Sequence, residues 1–93
     1  MVVTARGALD GLLERAAAWA QAQGVPMHMG EFGAFGAEGR VPIGDRAAWT
    51  GAAVEAATSR GMSFAYWEFH AGFGAYDLDA NDWVPELRDA LVG

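Results

Sequence analysis

The sequence contains no cysteine and no lysine, and only three of its 93 residues are proline. Without cysteine there is no disulfide, no thiolate zinc site and no cysteine nucleophile. Basic residues are scarce, and the net charge of −6 argues against binding to nucleic-acid phosphates or to an anionic membrane surface. Long apolar runs are absent too, because the longest uncharged stretches are rich in glycine and alanine and too short to cross a bilayer. No basic start followed by an apolar run is present, so no signal peptide is predicted.

What the sequence does contain is a regular alternation of helix and strand signals. Surface scaling gives a chain of this length roughly 5,200 Å² of exposed surface, enough for one modest core. The apolar periodicity predicts helices over 8–23 and 46–60, strands over 27–32 and 62–69, and a short closing helix that begins at Pro85. Gly24 and Gly61 are expected to end the first two helices, and Asp45 to cap the second. Two strands separated by a helix predict an α/β fold with parallel pairing.

The predicted pair of strands leaves one face without a covering helix. Alternation places Glu31 on that face and His28 on the opposite one. The other side chains expected on the uncovered face are Met27, Met29, Ser63, Ala65 and Trp67. Because parallel sheets are normally buried on both faces, the chain is predicted to be part of a larger sheet, or to complete one with another chain.

Glu31 is the first candidate functional residue. It closes an apolar strand at the end where parallel α/β folds carry their functional groups, between Gly30 and Gly33. A carboxylate there is expected to be desolvated, which favours a functional role. The alternative is a structural ion pair, for example with Arg40.

Trp67 and Glu68 end the second predicted strand. Trp67 shares its face with the small residues Ser63 and Ala65, so its ring is suited either to stack on a sugar or to pack in the core, and the residues alone favour the core. Glu68 has the opposite parity, which favours a structural hydrogen bond.

No metal or cofactor site is predicted. His28 and His70 have no further ligand at fixed spacing. The acids Asp77, Asp79 and Asp82 resemble a calcium loop but lack its glycine and its final glutamate, so a solvated turn is expected.

Several runs resemble family 5 glycoside hydrolases, the cellulase family of (β/α)8 barrels. PMHMGEFGA at 26–34 resembles the seventh barrel strand, and RAAW at 46–49 the start of the helix after it. AYWEFHAGFGAYD at 65–77 resembles the eighth strand and its loop, and PELRDAL at 85–91 the closing helix. The resemblance runs almost end to end. It implies that residues 1–93 form an α-β-α-β-α segment of a (β/α)8 TIM barrel, incomplete as a single chain and without a second domain.

The resemblance also implies a reaction. Glu31 would be the nucleophile of a retaining hydrolase acting on β-1,4-linked glucan, as oligosaccharide or polysaccharide, and Trp67 the platform under the sugar. Glu68 and His70 are further candidates for substrate binding, and His70 stands where a smaller residue is common. No cofactor is implied, and a secreted enzyme is expected. The second carboxyl belongs to the fourth strand of the family barrel, which these residues do not include, so the isolated chain is expected to be inactive.

Three other interpretations remain open. The chain could form a self-assembling partial barrel, a homo-oligomer whose copies cover the open face in place of a missing N-terminal segment. It could be a non-catalytic carbohydrate-binding remnant that uses Trp67, Tyr76 and Trp83. It could also be a small α/β domain in which Glu31 is structural.

Overall fold

The computed structural model describes the backbone of residues 2–93 and the side chains of residues 7–37 and 39–93. The three elements predicted to be helices are helical, and the two predicted strands pair in parallel. In chain order the elements are α1 (Val2–Gln23), β1 (His28–Phe32), a 3-10 turn (Ala37–Gly39), α2 (Ile43–Thr58), β2 (Ser63–Tyr66), β3 (Tyr76–Asp77), β4 (Asp82–Trp83) and α3 (Pro85–Val92).

The helices form one layer against one face of the β1–β2 pair. Helix α2 lies in the middle and packs against both α1 and α3. The core between α1, α2 and the strands is centred on Leu13, Ala56, Ala57 and Met62, with Met29 packed against it. Most buried side chains are alanines, which lets the helices approach closely but leaves the core thin.

A glycine follows each of the first two helices, Gly24 directly after α1 and Gly61 three residues after the last residue of α2. Gly24 has φ 69°, and the next amide, that of Val25, donates to the Ala20 carbonyl at 3.0 Å. Gly61 has φ 74°, and the Met62 amide donates to the Ala57 carbonyl at 3.0 Å. Both glycines take the left-handed conformation that closes a helix and turns the chain into the following strand.

The predicted cap of α2 is wrong. The helix begins at Ile43 with Pro42 as the N-cap residue, because the Pro42 carbonyl already accepts the amides of Asp45 and Arg46, each at 3.1 Å. Asp45 lies in the first turn instead, where its charge is favourable beside free amide groups. The helix also ends at Thr58, two residues earlier than its predicted limit.

The second strand is shorter than predicted and is followed by a hairpin that the sequence did not indicate. β2 ends at Tyr66, and the carbonyls of Glu68 and Phe69 accept the amides of Ala75 and Tyr76 at 3.0 and 2.7 Å. These two bonds close the loop over 68–76. The antiparallel pair β3–β4 follows, in which Tyr76 pairs with Trp83.

Arg60 joins the C-terminal end of α2 to α1. Its Nε donates to Glu14 Oε2 at 2.8 Å and its Nη1 to Asp10 Oδ1 at 3.2 Å. The hydrogen bond to Glu14 raises the pKa of the Arg60 guanidinium.

The face of β1–β2 opposite the helices is open. The accessible surface of 5930 Å² exceeds the roughly 5,200 Å² expected from surface scaling. No helix in the described part of the chain is long and apolar enough to span a membrane.

Candidate functional site

A β-bulge in the middle of β1 determines which side chains face the open side of the sheet. The register pairs Met29 with Phe64 and then Glu31 with Ala65, so Gly30 has no partner of its own. The extra residue reverses the alternation, and glycine accommodates such a bulge easily. Met29 therefore packs into the core, while Glu31 lies exposed on the open face.

Three side chains of β1 and the residue before it lie on faces other than those predicted. Met27 and Met29, expected on the uncovered face, pack against the core cluster instead. His28, expected opposite Glu31, is exposed on the same side, where its Nδ1 lies 2.7 Å from Ser63 Oγ. The β2 side of the prediction is confirmed, since Ser63 and Ala65 are exposed.

Trp67 follows β2 on this open face. Its amide donates to the Phe32 carbonyl at 2.7 Å, which continues the ladder one step beyond the strand, and the peptide bond between Trp67 and Glu68 is cis. Trp67 is 50% exposed, so packing in the core, favoured from the residues alone, does not occur in this chain. Glu31 lies opposite Ala65, two positions before Trp67. Ideal strand spacing puts the Cα atoms of Glu31 and Trp67 about 8 Å apart.

The Glu31 carboxylate is exposed, so the expected desolvation is not present in this chain. The reason is the open face: no described element covers the side on which the carboxylate lies. The alternative ion pair with Arg40 is not formed among the described side chains, and Arg40 Nε donates to the Ala37 carbonyl at 3.0 Å. Among the described side chains, none donates a hydrogen bond to Glu31, which leaves its oxygens accessible to a ligand.

Glu68 and His70 lie in the loop after Trp67. Glu68 is half-buried, and its Oε1 accepts the Phe73 amide at 3.1 Å. This is the structural hydrogen bond that the parity argument predicts, and contact of Glu68 with substrate stays a prediction. His70 is exposed, with its ring 5.9 Å from that of Phe69.

The loops after β1 and β2 are in direct contact. A Cβ at Gly33 would collide with the Trp67 carbonyl oxygen, and the Gly36 amide donates to the Gly72 carbonyl at 2.8 Å. Arg46, from the first turn of α2, donates to carbonyls of both loops. From the sequence, the run 46–49 indicates only the start of a helix, so Arg46 was not predicted to be part of the site.

The hairpin holds an aromatic cluster formed by Phe69, Tyr76 and Trp83. Phe69 stacks on Tyr76 with ring centroids 4.7 Å apart, and Trp83 meets both rings edge-on at 5.7 and 5.2 Å. Among the described rings none contacts Trp67, so the structure does not join Trp67 to Tyr76 and Trp83 in one platform.

An acidic residue of the hairpin, Asp77, stabilises the turn. Asp77 Oδ1 accepts the amides of Asp79 and Ala80 at 2.9 and 3.2 Å. Within the described residues no three His, Asp or Glu side chains are grouped closely enough to hold a metal ion.

The sequence of the chain matches one known protein family. Residues 3–72 match the sequence model of Cellulase (glycosyl hydrolase family 5). The chain belongs to glycosyl hydrolase family 5.

Solved structures of family 5 enzymes share its fold. An endoglucanase is 35% identical over 95% of this chain, with a TM-score of 0.86. A hyperthermophilic endo-beta-1,4-glucanase in complex with substrate is 33% identical over 95% of this chain, with a TM-score of 0.85. The endoglucanase Cel5A of Thermotoga maritima is 33% identical over 94% of this chain, with a TM-score of 0.81. No curated protein sequence matches the chain.

These structures confirm the predicted fold class. The chain has the α/β fold of a segment of the family 5 TIM barrel. It spans only 27 to 28% of the length of the three solved chains.

Proposed function

We propose that this chain supplies the nucleophile and the sugar platform of a retaining glycoside hydrolase that cleaves β-1,4-linked glucan. The proposal rests on the placement of Glu31 and Trp67, which are both exposed on the open face at the carboxyl end of the strands. TIM-barrel enzymes carry their catalytic groups at this end. The endoglucanases among the similar structures, one of them in complex with substrate, support glucan as the substrate class.

The reaction assigns one role to each side chain. The Glu31 carboxylate attacks the anomeric carbon, the glycosidic C–O bond breaks, and a glycosyl ester forms on Glu31. The leaving oxygen takes a proton from a second carboxyl, which in retaining enzymes stands about 5–5.5 Å from the nucleophile. That same group then removes a proton from the water that hydrolyses the ester. Trp67 offers its ring face to the apolar face of the sugar.

The second carboxyl has to come from another barrel strand. Glu68 does not fit the role, because its carboxylate is half-buried and already accepts the Phe73 amide. Residues 1–93 thus act as one partial barrel segment, and the acid comes from a preceding strand or from a partner chain. General acid–base help is typically worth about 10²–10⁴-fold, so the 93 residues alone are expected to hydrolyse glucan negligibly.

A chimeric enzyme with a complete barrel tests the proposal. In it, residues 1–93 replace the segment that they match in Thermotoga maritima Cel5A, which is 33% identical over 94% of this chain. Hydrolysis of a chromogenic β-cellobioside by this chimera is expected to fall by at least about 10³-fold in Glu31→Gln, as is typical when a nucleophile is removed. In Glu31→Ala, azide is expected to restore turnover and to yield a glycosyl azide, because the anion occupies the place of the carboxylate.

The matched control is Glu86→Gln, the same change at an exposed residue in the first turn of α3. It is expected to leave turnover unchanged. Turnover of Glu31→Gln within tenfold of the parent chimera would show that Glu31 is not the nucleophile. Parallel assays on β-mannoside and β-glucoside substrates decide the sugar, since Cel5A has been solved with mannotriose and with cellobiose.

The exposed Trp67 ring favours one competing function, carbohydrate binding without catalysis. In that case the 93-residue chain binds cello-oligosaccharides saturably, loses binding in Trp67→Ala and keeps it in Glu31→Gln. Light scattering on the same chain distinguishes a monomer from the self-assembled barrel, which requires a discrete oligomer.

A further inference from the structure

We infer that Arg46 is a positioning residue that ties together the loops that follow β1 and β2, next to Glu31 and Trp67, and so fixes the nucleophile relative to the sugar platform. The inference rests on the proposed function for the roles of Glu31 and Trp67. The hydrogen bonds by which Arg46 links the two loops do not depend on the proposed function.

The guanidinium of Arg46 reaches one carbonyl in each loop. Its Nε donates to the Ala34 carbonyl at 3.0 Å, three residues after Glu31. Its Nη2 donates to the Gly74 carbonyl at 3.5 Å, a long hydrogen bond to the loop after β2. Both bonds are part-buried, where solvent screens a charged donor less than at the surface.

The two loops close around this side chain. Gly36 is buried, and a Cβ built on it would lie 3.2 Å from Arg46 Nη1 and 3.3 Å from the Gly72 carbonyl oxygen. The absence of a side chain at Gly36 lets the first loop lie against the guanidinium and donate its amide to Gly72 at 2.8 Å. The rings of Phe35 and Phe73 meet across the same contact at 5.2 Å.

The position of Arg46 in its helix argues for a role outside the helix. It lies in the first turn of α2, where the helix dipole disfavours a cation. Helical side chains lean towards the N-terminus, which here is the end of the helix nearest the two loops. The unfavourable placement is offset by the two carbonyl oxygens that the guanidinium reaches.

Arginine suits this task better than lysine. The donors Nε and Nη2 lie in one rigid plane and bind two acceptors at once, whereas a lysine ammonium has no such fixed geometry. Arg46→Lys is therefore expected to keep the charge but to hold the loops less firmly, with Arg46→Gln weaker still.

Amide hydrogen exchange in the 93-residue chain tests the link without any assay of activity. The Gly36 amide, which donates to Gly72, is expected to exchange about tenfold faster or more in Arg46→Gln, with Arg46→Lys in between. The Trp67 amide, bonded to Phe32 in the ladder, is the internal standard and is expected to change far less. The matched control is Arg88→Gln, whose guanidinium pairs only with its neighbour Asp89 in the described structure.

Kinetics in the completed barrel test the positioning role. A misplaced reacting group can cost about 10²-fold, so kcat is expected to fall by that order in Arg46→Gln and by less in Arg46→Lys, with a smaller change in KM. The rates are divided by the fraction of enzyme that a fluorinated glycoside labels covalently, which removes any loss due to unfolded protein.

Each result separates the two proposals. Unchanged exchange at Gly36 in both Arg46 variants overturns the loop link, whatever Glu31 does. Faster exchange with unchanged kcat per active site overturns the positioning role. Activity that survives Glu31→Gln overturns the proposed function and leaves the exchange result standing.

Discussion

The backbone of Gly33 runs directly against the carbonyl oxygen of Trp67, so closely that no Cβ fits between them. One residue earlier, the Phe32 carbonyl accepts the Trp67 amide at 2.7 Å. These two contacts fix where the chain leaves β1 relative to where it leaves β2. They bring Glu31 and Trp67 to the same end of the open face.

Gly33→Ala is expected to lower the free energy of unfolding by about 1–3 kcal/mol, because the new methyl group forces the two backbones apart. Gly30→Ala is the matched control, since a Cβ there meets nothing within 4 Å, and it is expected to change stability by less than about 0.5 kcal/mol. Urea denaturation of the three proteins measures the difference. Equal stability of the two variants would contradict the close approach at Gly33.

Thr50→Val is expected to stabilise the chain. Thr50 is fully buried in α2, and its Oγ1 has no hydrogen-bond partner among the described groups. Replacing that hydroxyl by a methyl group removes a buried unsatisfied polar atom and keeps the β-branched shape, which is worth about 1 kcal/mol. Thr50→Ser keeps the hydroxyl and loses the methyl group, so it is expected to destabilise. A Thr50→Val protein that unfolds at lower urea than the parent would show that the hydroxyl has a partner in solution.

Arg60→Gln is expected to lower the melting temperature, because it removes the bonds that join α2 to Asp10 and Glu14 of α1. The hydrogen bond to Glu14 raises the pKa of Arg60 above its ordinary value, so the contribution of Arg60 is complete below that ordinary value and is lost only as the pH rises through the higher, folded-state value. The difference from the parent should therefore be the same at about pH 7 and pH 9.

Arg88→Gln serves as the comparison for Arg60→Gln, because Arg88 pairs with Asp89 on its own helix and, among the described side chains, joins no second element. It is expected to leave the melting temperature close to that of the parent. A difference between Arg60→Gln and the parent that shrinks from pH 7 to pH 9 would contradict the assignment.

The order and type of the main elements could be predicted from the sequence, because they depend on local signals. Helical periodicity, Gly24 and Gly61 are enough to set α1, α2 and the strands that follow them. The hairpin over 76–83 has strands of only two residues each, too short to give a periodic signal.

The site was only partly predictable, because its geometry depends on contacts between distant residues. Glu31 and Trp67 could be selected from their strand-end positions, and they do share a face. The face of His28 was wrong because a single unpaired residue, Gly30, shifts the register between β1 and β2. Arg46 was missed because both of its acceptors are backbone carbonyls, 12 and 28 residues away, which leave no pattern of side chains to detect.

The parallel pair also has a consequence for handling the protein. Each of its two strands has the other as its only partner in the described chain, so both outer edges present free amide and carbonyl groups. In a family 5 barrel these edges meet neighbouring strands. In concentrated solutions of the 93-residue chain they are templates for any extended peptide, and the exposed aromatic side chains beside them strengthen such pairing. Aggregation by strand addition is thus expected to increase with the concentration of the protein.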